Sequence, residues 1–227
     1  MLRYIYADDL HQFPDLQKSM FLDRADQFKT RLGWDVTVSD AGEERDEYDD
    51  LNPLYVIWQN PDGRHGGSMR FLPTTGPTMV NDHFSHLTGG GPITSPLIWE
   101  CTRFCLARDA GPHVAAGLML AGGEIMKNFG IKHFVGVFDA RMQRIYRMIG
   151  AAPEVIAMRG TGRNRISVGL WQFSTNARHK VALRAGVSAA LSDQWFRQSF
   201  GGCSSALTGG LARQSRKGLM SGTFAGT

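Results

Sequence analysis

The sequence predicts a sandwich of the α/β or α+β class, in which helices pack against one central sheet. In the second half of the chain, the hydrophobic pattern changes in the order strand, long helix, strand, helix, strand, strand. In the first half, two apolar segments at 54–58 and 67–73 flank turn residues at 60–63, a pattern typical of a β-hairpin.

Composition narrows the class of protein. The 227 residues are 42% hydrophobic and 20% charged, which is too apolar for a disordered chain. No apolar run approaches the ~18–20 residues needed to span a bilayer. The N-terminus turns acidic at Asp8 and Asp9, where a signal peptide would be apolar, and three cysteines are too few for a disulfide framework. A cytoplasmic protein is therefore expected.

The elements of the first half follow from periodicity and turn residues. Apolar side chains at helical spacing predict a helix from about Asp9 to Leu32, which Gly33 would end. The segment 40–50 is acidic and too polar to be a core element. After the hairpin, the segment 74–96 is rich in Gly, Pro, Thr and His and is expected to be irregular.

The second half contains longer apolar segments. Its first strand, 97–106, has the strongest pattern, and Asp139 is well placed to cap a helix. The remaining expected elements are a helix at 114–129 rich in small residues, a strand at 133–138, a helix at 141–149, strands at 153–158 and 166–173, and a helix at 176–200. Residues 201–227 are expected to form a mobile tail after a domain at 1–200.

Charge is distributed unevenly. Residues 141–227 carry 13 Lys and Arg but only 2 Asp and Glu, whereas residues 1–140 carry 12 and 19. A basic half suits an acidic partner such as nucleic acid, a phosphorylated cofactor or an acidic protein, and it equally suits a solvated basic face.

The strand at 97–106 contains two charged residues, Glu100 and Arg103. Their spacing would point them to opposite faces of the sheet, unless a β-bulge between them brings both to one face. A structural ion pair is the alternative to a functional site. Other isolated charges in the first half are individually explained by ordinary surface polarity: Arg24, Asp46, Asp49 and Arg70.

Other signals are weak. His83 and His86 are three residues apart, but no carboxylate or Cys lies at ligand spacing, so no metal site is predicted. Cys101 and Cys105 are read as buried, inert thiols rather than nucleophiles. The sequence at 159–163 suits a phosphate-binding loop, but also a plain basic hairpin turn.

Taken in order, these residues resemble the LuxI-type acyl-homoserine lactone synthases. The resemblance covers about residues 1–173. The matching residues are Arg24, Phe28, Trp34, Asp46, Asp49, Arg70 in Ser-Met-Arg-Phe-Leu-Pro, Phe84, and Glu100 and Arg103 in Trp-Glu-Cys-Thr-Arg-Phe.

The family implies a GNAT-like (acetyltransferase-like) three-layer αβα sandwich, whose twisted mixed sheet opens into a V-shaped cleft. It implies transfer of an acyl group from acyl carrier protein, or from coenzyme A, to the amine of S-adenosylmethionine. Lactonisation then releases methylthioadenosine and a quorum-sensing signal. The family implies no permanently bound cofactor, because S-adenosylmethionine is a substrate. It also implies no metal, no nucleic acid and no membrane span.

The resemblance also assigns residues. The catalytic set is Glu100 as the base, with Arg103, Arg70, Asp46 and Asp49. The S-adenosylmethionine set is Arg24, Phe28, Trp34, Phe84 and Arg103, of which the arginines suit either the carboxylate or a bracing network. The acyl pocket is expected to contain Cys101, Thr102, Met119, Gly122, Gly136, Phe138, Tyr146 and Trp171. Gly136 offers no side-chain donor, which argues against 3-oxo chains.

Three arginines at helical spacing could dock the acidic carrier or bind the phosphates of coenzyme A, namely Arg141, Arg144 and Arg147. Two other functions stay open. One is a different GNAT-type acyltransferase, in which coenzyme A donates to another amine. The other is a nucleic-acid-binding protein that uses residues 141–227, although this half lacks interleaved surface aromatics and any known motif.

Overall fold

The computed structural model describes residues 1–201, so Cys203 and positions 202–227 of the expected tail lie outside the described residues. The strands are β1 (Leu2–Tyr6), β2 (Leu54–Gln59), β3 (His65–Pro73), β4 (Ile98–Leu106), β5 (His133–Asp139), β6 (Glu154–Arg159) and β7 (Ile166–Gln172). The helices are α1 (Pro14–Ala25), α2 (Met79–Asp82), α3 (Pro112–Phe129), α4 (Ala140–Ile149), α5 (Thr175–Ala185) and α6 (Ala189–Phe200).

The seven strands form one mixed sheet in the order β1-β2-β3-β4-β5-β7-β6. All neighbours are antiparallel except β4 and β5, which are parallel. That parallel pairing joins only 98–100 of β4 to 133–135 of β5. Beyond these residues the two strands separate, which opens a V-shaped cleft in the middle of the sheet.

Helices cover both faces, which gives the three-layer αβα arrangement. On one face, α1 packs its buried Leu16, Met20 and Phe21 against Tyr55 and Ile57 of β2. On the other face, the central helix α3 packs against β1–β5, and α5 and α6 complete this layer. The expected sandwich with a central sheet is therefore confirmed.

Several boundaries differ from expectation. Strand β1 was not anticipated, although Leu2 and Tyr4 alternate inward. The first helix is shorter than expected because a 3-10 turn at 7–12 precedes Pro14, which occupies the first turn of α1, and a π-helical turn at 26–31 follows it. The expected helix at 176–200 is two helices, since Gly186 has a φ of +64° and ends α5.

The acidic segment 40–50 is irregular, as expected, but it is not a solvated loop. Glu44 is fully buried, and Tyr48 and Asp49 are also buried. The segment 74–96 is mostly irregular, but it contains the one-turn helix α2. Among residues 1–201, no helix is both long and apolar enough to cross a membrane.

Candidate functional site

A β-bulge in β4 gathers the charged residues of this strand on one face of the sheet. Arg70 lies opposite Thr102, whereas Ser68 lies opposite Cys105, so β4 contains one extra residue between these pairs. Arg103 lies in this stretch with a φ of +52°, which is uncommon for a residue other than glycine. The bulge that would bring Glu100 and Arg103 to one face is therefore present at Arg103, and it turns the Arg103 side chain towards Asp46, a partner of Arg70.

Six charged side chains form a closed ring in which each arginine contacts two carboxylates and each carboxylate contacts two arginines. In order around the ring, they are Arg24, Glu44, Arg103, Asp46, Arg70 and Asp49. The nitrogen–oxygen distance is 2.6 Å between Arg24 Nε and Glu44 Oε2 and 2.7 Å between Arg103 Nη2 and Asp46 Oδ2. Three positive and three negative charges make the ring neutral, which offsets the cost of burying them.

Further hydrogen bonds fix the carboxylates. Tyr55 Oη donates to Asp49 Oδ1 at 2.6 Å, and Asp49 Oδ2 accepts from the backbone N–H of Asp46. Burial by itself would raise the pKa of Asp49, but the hydrogen bonds and charges of Arg24 and Arg70 hold this pKa well below its usual range. Asp49 is therefore a permanent anion and a poor proton acceptor.

The ring is exposed at one edge only. The side chains of Arg24 and Arg70 are each 1% exposed, whereas those of Arg103 and Asp46 are 11% and 12% exposed. The Nε, Nη1 and Nη2 atoms of Arg24 all donate to Glu44 or Asp49. Arg103 and Asp46 are thus the ring members that a small molecule can reach.

Glu100 lies beside the ring but outside it. Its two carboxylate oxygens accept hydrogen bonds from the backbone N–H groups of Met79 (2.9 Å) and Val80 (2.6 Å) in α2. Burial raises the pKa of Glu100 to about 7, although these two N–H groups and Arg70 act in the opposite direction. A carboxylate with this pKa can accept and release a proton near neutral pH.

Two aromatic side chains cover the ring of ion pairs on the side where Arg103 lies. Phe28, in the π-helical turn, stacks on Trp34 with 5.2 Å between ring centroids and 13° between planes. The guanidinium of Arg103 lies 5.4 Å from the centre of the Phe28 ring. Phe28 is buried, whereas Trp34 is 42% exposed.

Phe84, expected in the same set, is placed elsewhere by the structure. It follows α2 and lines a surface depression with Leu87, Arg159 and Ile166. Its aromatic neighbour is His86, at 6.2 Å. Phe84 lies two residues after α2, at the start of a 3-10 turn at 85–87 that contacts β6, and it is not part of the Phe28–Trp34 stack.

The V-shaped cleft is lined on its β4 side by the turn that carries Phe28. Gln27 Nε2 donates to the carbonyl oxygen of Phe104 at 2.8 Å, and Gln27 Oε1 accepts from the N–H of Leu106 at 2.9 Å. Gln27 thus bonds to β4 as a neighbouring strand would, where β5 has already diverged. Arg31 adds a bond to the carbonyl of Leu106.

An apolar cavity lies on the opposite face of the sheet, under α3. Five residues expected in the acyl pocket line it: Cys101, Met119, Gly122, Tyr146 and Trp171. Tyr146 also packs edge-on against Phe104 in the cleft, with ring centroids 5.9 Å apart. The cavity and the cleft therefore meet at this pair of rings.

Three other residues of the expected pocket do not line the cavity. Phe138 packs behind it, against Tyr146 and Trp171. A Cβ on Gly136 would lie 2.9 Å from the carbonyl oxygen of Cys101 and 3.2 Å from the Trp171 ring, so the space beside it is filled. Thr102 lies on the other face, where its hydroxyl accepts a hydrogen bond from Arg70, because adjacent side chains alternate along β4.

The thiols of Cys101 and Cys105 are unsuited to nucleophilic chemistry. Burial, and then the charge of Glu100, raises the pKa of Cys101 well above its ordinary value, and burial does the same for Cys105. His83 lies 3.2 Å from Glu47. Within residues 1–201, no group of three or more His, Cys, Asp or Glu side chains is arranged to hold a metal ion.

The three arginines of α4 are all exposed: Arg141, Arg144 and Arg147. Arg141 also lines the cleft, facing Phe28 and Phe104. The helix begins at Asp139, whose carboxylate accepts a hydrogen bond from the N–H of Met142, as expected. A basic helix therefore borders the entrance between β4 and β5.

Sequence reasoning missed Glu44, Tyr55 and Gln27. Glu44 lies in a run of acidic residues, where a buried member looks no different from its solvated neighbours. Tyr55 lies on the α1 face of β2, one residue from Leu54 and Val56, and its alternation there was the available signal. Gln27 had no sequence signal, since its role depends on the separation of β4 from β5.

Comparisons with known proteins agree with this geometry. A family model described as "Autoinducer synthase" matches residues 9–181. An acyl-homoserine-lactone synthase of Rhizobium etli is 39% identical over 199 residues, which cover 84% of this chain and 92% of that protein.

Two solved structures share the fold. One is the CoA-dependent acyl-homoserine lactone synthase BjaI with SAM and isopentyl-CoA, which has a TM-score of 0.74 and 24% identity and covers 83% of this chain and 90% of that one. The other, described as an N-acetyltransferase of Lactobacillus plantarum, has a TM-score of 0.51 and 15% identity and covers 76% and 99%. The fold is thus the expected GNAT-like one.

Proposed function

Because the chain belongs to the autoinducer synthase family of LuxI type, we propose that its acyl transfer takes place where the V-shaped cleft meets Glu100 and the ion-pair ring. The protein is an acyl-homoserine-lactone synthase, an acyltransferase that uses S-adenosylmethionine as a substrate. The observation that carries the proposal is the position of Glu100, a buried carboxylate with a pKa of about 7 beside an otherwise neutral ring.

The first step joins the two substrates. The amine nitrogen of S-adenosylmethionine attacks the thioester carbonyl carbon of the acyl donor, and the carbon–sulfur bond breaks so that the thiol leaves. The amine must lose a proton, which passes to the carboxylate of Glu100 directly or through one water. The bulge at Arg103 supports a backbone N–H as donor to the developing oxyanion.

The second step closes the lactone. The methionine carboxylate attacks its own γ carbon, the bond to the sulfonium sulfur breaks, and methylthioadenosine leaves. The attack is intramolecular, so a site that holds the chain folded supplies much of the acceleration. The stacked Phe28 and Trp34 are suited to cover the bound molecule and hold it in this shape.

Charge and exposure divide the ring residues by role. Arg103 suits the substrate carboxylate, and Asp46 suits its cationic groups, because these two side chains reach the surface of the ring. Arg24, expected to bind substrate, is instead assigned a bracing role, because its guanidinium nitrogens are already bonded. Arg70 and Asp49 are assigned the same bracing role.

The acyl donor is proposed to be acyl carrier protein. Its phosphopantetheine arm would enter beside Arg141, and its acidic surface would contact Arg144 and Arg147 on α4. Reversing Arg144 and Arg147 to Glu should raise the KM for a carrier-bound donor and leave the KM for S-adenosylmethionine unchanged. Equal KM values for wild type and variant would show that the carrier docks elsewhere. A rise in KM for acyl-CoA alone would identify coenzyme A as the donor.

The acyl chain is proposed to occupy the apolar cavity, which it would enter from the cleft past Tyr146. Mass spectrometry of lactones from cells that express this chain measures both the length and the substitution of the acyl group.

A direct assay tests the reaction. Purified protein with S-adenosylmethionine and an acyl donor should release methylthioadenosine and an acyl-homoserine lactone in equal amounts. An N-acylated product without methylthioadenosine would contradict lactonisation and would indicate a GNAT-type transferase that acts on another amine. For Glu100, the Glu100→Gln variant should lose most acyl transfer while remaining folded, and near-normal turnover would reject Glu100 as the base.

A further inference from the structure

The one-turn helix α2 contacts both parts of the site. At its start, the N–H groups of Met79 and Val80 hold the Glu100 carboxylate. At its end, Asp82 Oδ2 accepts a hydrogen bond of 2.9 Å from Tyr48 Oη. The same short helix therefore touches the carboxylate that lies outside the ring and the segment that builds the ring.

Tyr48 belongs to the 3-10 turn at 47–50. Two carboxylates of the ion-pair ring, those of Asp46 and Asp49, flank Tyr48 in the sequence. Asp46 caps this turn by accepting from the N–H of Tyr48 at 3.0 Å, and Asp49 lies within it. The Arg70 guanidinium lies 5.4 Å from the centre of the Tyr48 ring. Any displacement of Tyr48 would thus move the turn that positions Asp46 and Asp49.

The hydrogen bond between Tyr48 and Asp82 is suited to linking the 47–50 turn to α2. Tyr48 is 2% exposed, and burial together with Asp82 raises the pKa of its hydroxyl, which therefore keeps its proton at neutral pH. A hydroxyl that donates to an ionised carboxylate forms a stronger bond than a neutral pair. Two further contacts join the segments. The pair of His83 with Glu47 at 3.2 Å is more than half exposed on both sides and contributes little. The Tyr48 ring packs edge-on against His83 at 6.2 Å, and this contact remains in Tyr48→Phe.

We propose that Tyr48 and Asp82 are positioning residues, whose hydrogen bond sets the Glu100 carboxylate at a fixed distance from Arg103 and Asp46. The inference rests on the proposed function, because it takes Glu100 as the base. Neither residue touches substrate in this scheme, and both act through α2. The rest of α2 is anchored independently, since Val80 is buried in the core and the Asn81 side chain bonds to the backbone of Ile93.

Loss of this bond should lower kcat rather than raise KM. The groups proposed to bind S-adenosylmethionine, Phe28, Arg103 and Asp46, keep their contacts with one another and with the rest of the ring. The helix α2, which holds the base, loses one of its anchors. Small displacements of a catalytic group cost up to about a hundredfold in rate. About a tenfold lower kcat is expected here, because only one end of α2 is released.

The experiment is a double-mutant cycle on kcat with Tyr48→Phe, Asp82→Ala and the double variant. Each single variant should lose about tenfold, and the double variant should lose no more than either one, because both remove the same bond. Asp82→Asn keeps an acceptor oxygen and should lose less than Asp82→Ala. Asp50→Ala is the control, since Asp50 is exposed on the same turn and should behave as wild type.

Losses that multiply in the double variant, unchanged kcat in both single variants, or a rise in KM at constant kcat would each overturn the inference. Asp82 is exposed, so Asp82→Ala carries the test even if Tyr48→Phe does not fold. Glu100→Gln separates the two hypotheses. If Glu100→Gln is active, the proposal that Glu100 is the base fails, whereas if it is inactive and the cycle shows no coupling, only this inference fails.

Discussion

Arg103 lies over Phe28, with 5.4 Å between its guanidinium carbon and the centre of the ring. This contact joins the ion-pair ring to the aromatic stack, because Arg103 also bonds to Glu44 and Asp46. Cation–π contacts contribute ~0.5–2 kcal/mol, depending on how far they are removed from water. The same arginine thus connects the polar and aromatic parts of the site.

Replacing Phe28 with Leu should raise the KM for S-adenosylmethionine about two- to thirtyfold, the range expected from loss of ~0.5–2 kcal/mol. The variant loses both the stack on Trp34 and the contact with Arg103. Steady-state kinetics or calorimetry measures the change. Phe13→Leu is a matched control, since Arg3 lies over Phe13 at 4.8 Å, away from the site. Equal effects of the two substitutions would argue against a specific role of Phe28.

Most of the fold was predictable, because the strands and helices of the second half have strong apolar periods. β4, α3, β5 and α4 lie within a few residues of their expected limits. The break between α5 and α6 at Gly186 was not predictable, since the amphipathic pattern continues across it. The charged residues of the first half could be recognised only as a set. Their pairing depends on contacts between segments that are far apart in the sequence.

The burial of segment 40–50 was the main feature that sequence reasoning could not supply. A run of acidic residues normally indicates a solvated loop. Here three arginines, from α1, β3 and β4, form ion pairs with Glu44, Asp46 and Asp49. Because these pairs neutralise the buried negative charges, the segment can pack against the sheet. The sequence analysis named five of the six residues of the ring, but neither Glu44 nor the burial of the segment that carries it.

Replacing Glu44 with Ala should destabilise the protein by about 3–5 kcal/mol, because two arginines would lose a buried partner. Glu44 accepts from Arg24 at 2.6 Å and from Arg103 at 3.0 Å. Urea unfolding measures the loss as a lower midpoint with an unchanged slope. Glu43→Ala is the neighbouring control, since Glu43 pairs only with the half-exposed Arg45 among described residues. Equal stability of the two variants would contradict a stabilising ring.

Replacing Gln27 with Leu should loosen the β4 side of the cleft. The substitution removes the bonds to Phe104 and Leu106, which are partly buried, at a cost of about 1 kcal/mol each. The unfolding midpoint should fall, and the KM for S-adenosylmethionine should rise, because Phe28 is the next residue in the same turn. Gln12→Leu, which loses an exposed bond to Asp9, serves as the control. An unchanged KM would show that the turn holds its place without Gln27.

The pKa of Glu100 predicts opposite effects of pH on activity and on stability. As the base, Glu100 must be ionised, so kcat/KM should rise with pH and level off above about 7. The folded-state pKa lies above its ordinary value of 4.5, so the folded protein binds more protons than the unfolded chain between these values. The contribution of Glu100 to stability is therefore present at low pH and lost as pH rises through 7.

Comparison with Glu100→Gln isolates this effect, because the amide does not titrate. Between pH 5 and pH 8, the unfolding free energy of wild type should fall by about 2.5 kcal/mol relative to the variant, since each unit of pKa shift corresponds to about 1.4 kcal/mol. The constant cost of placing an amide against the N–H groups of Met79 and Val80 cancels in this difference. A difference that does not change with pH would mean that Glu100 titrates normally, and the rising limb of kcat/KM would then belong to another group, such as the substrate amine.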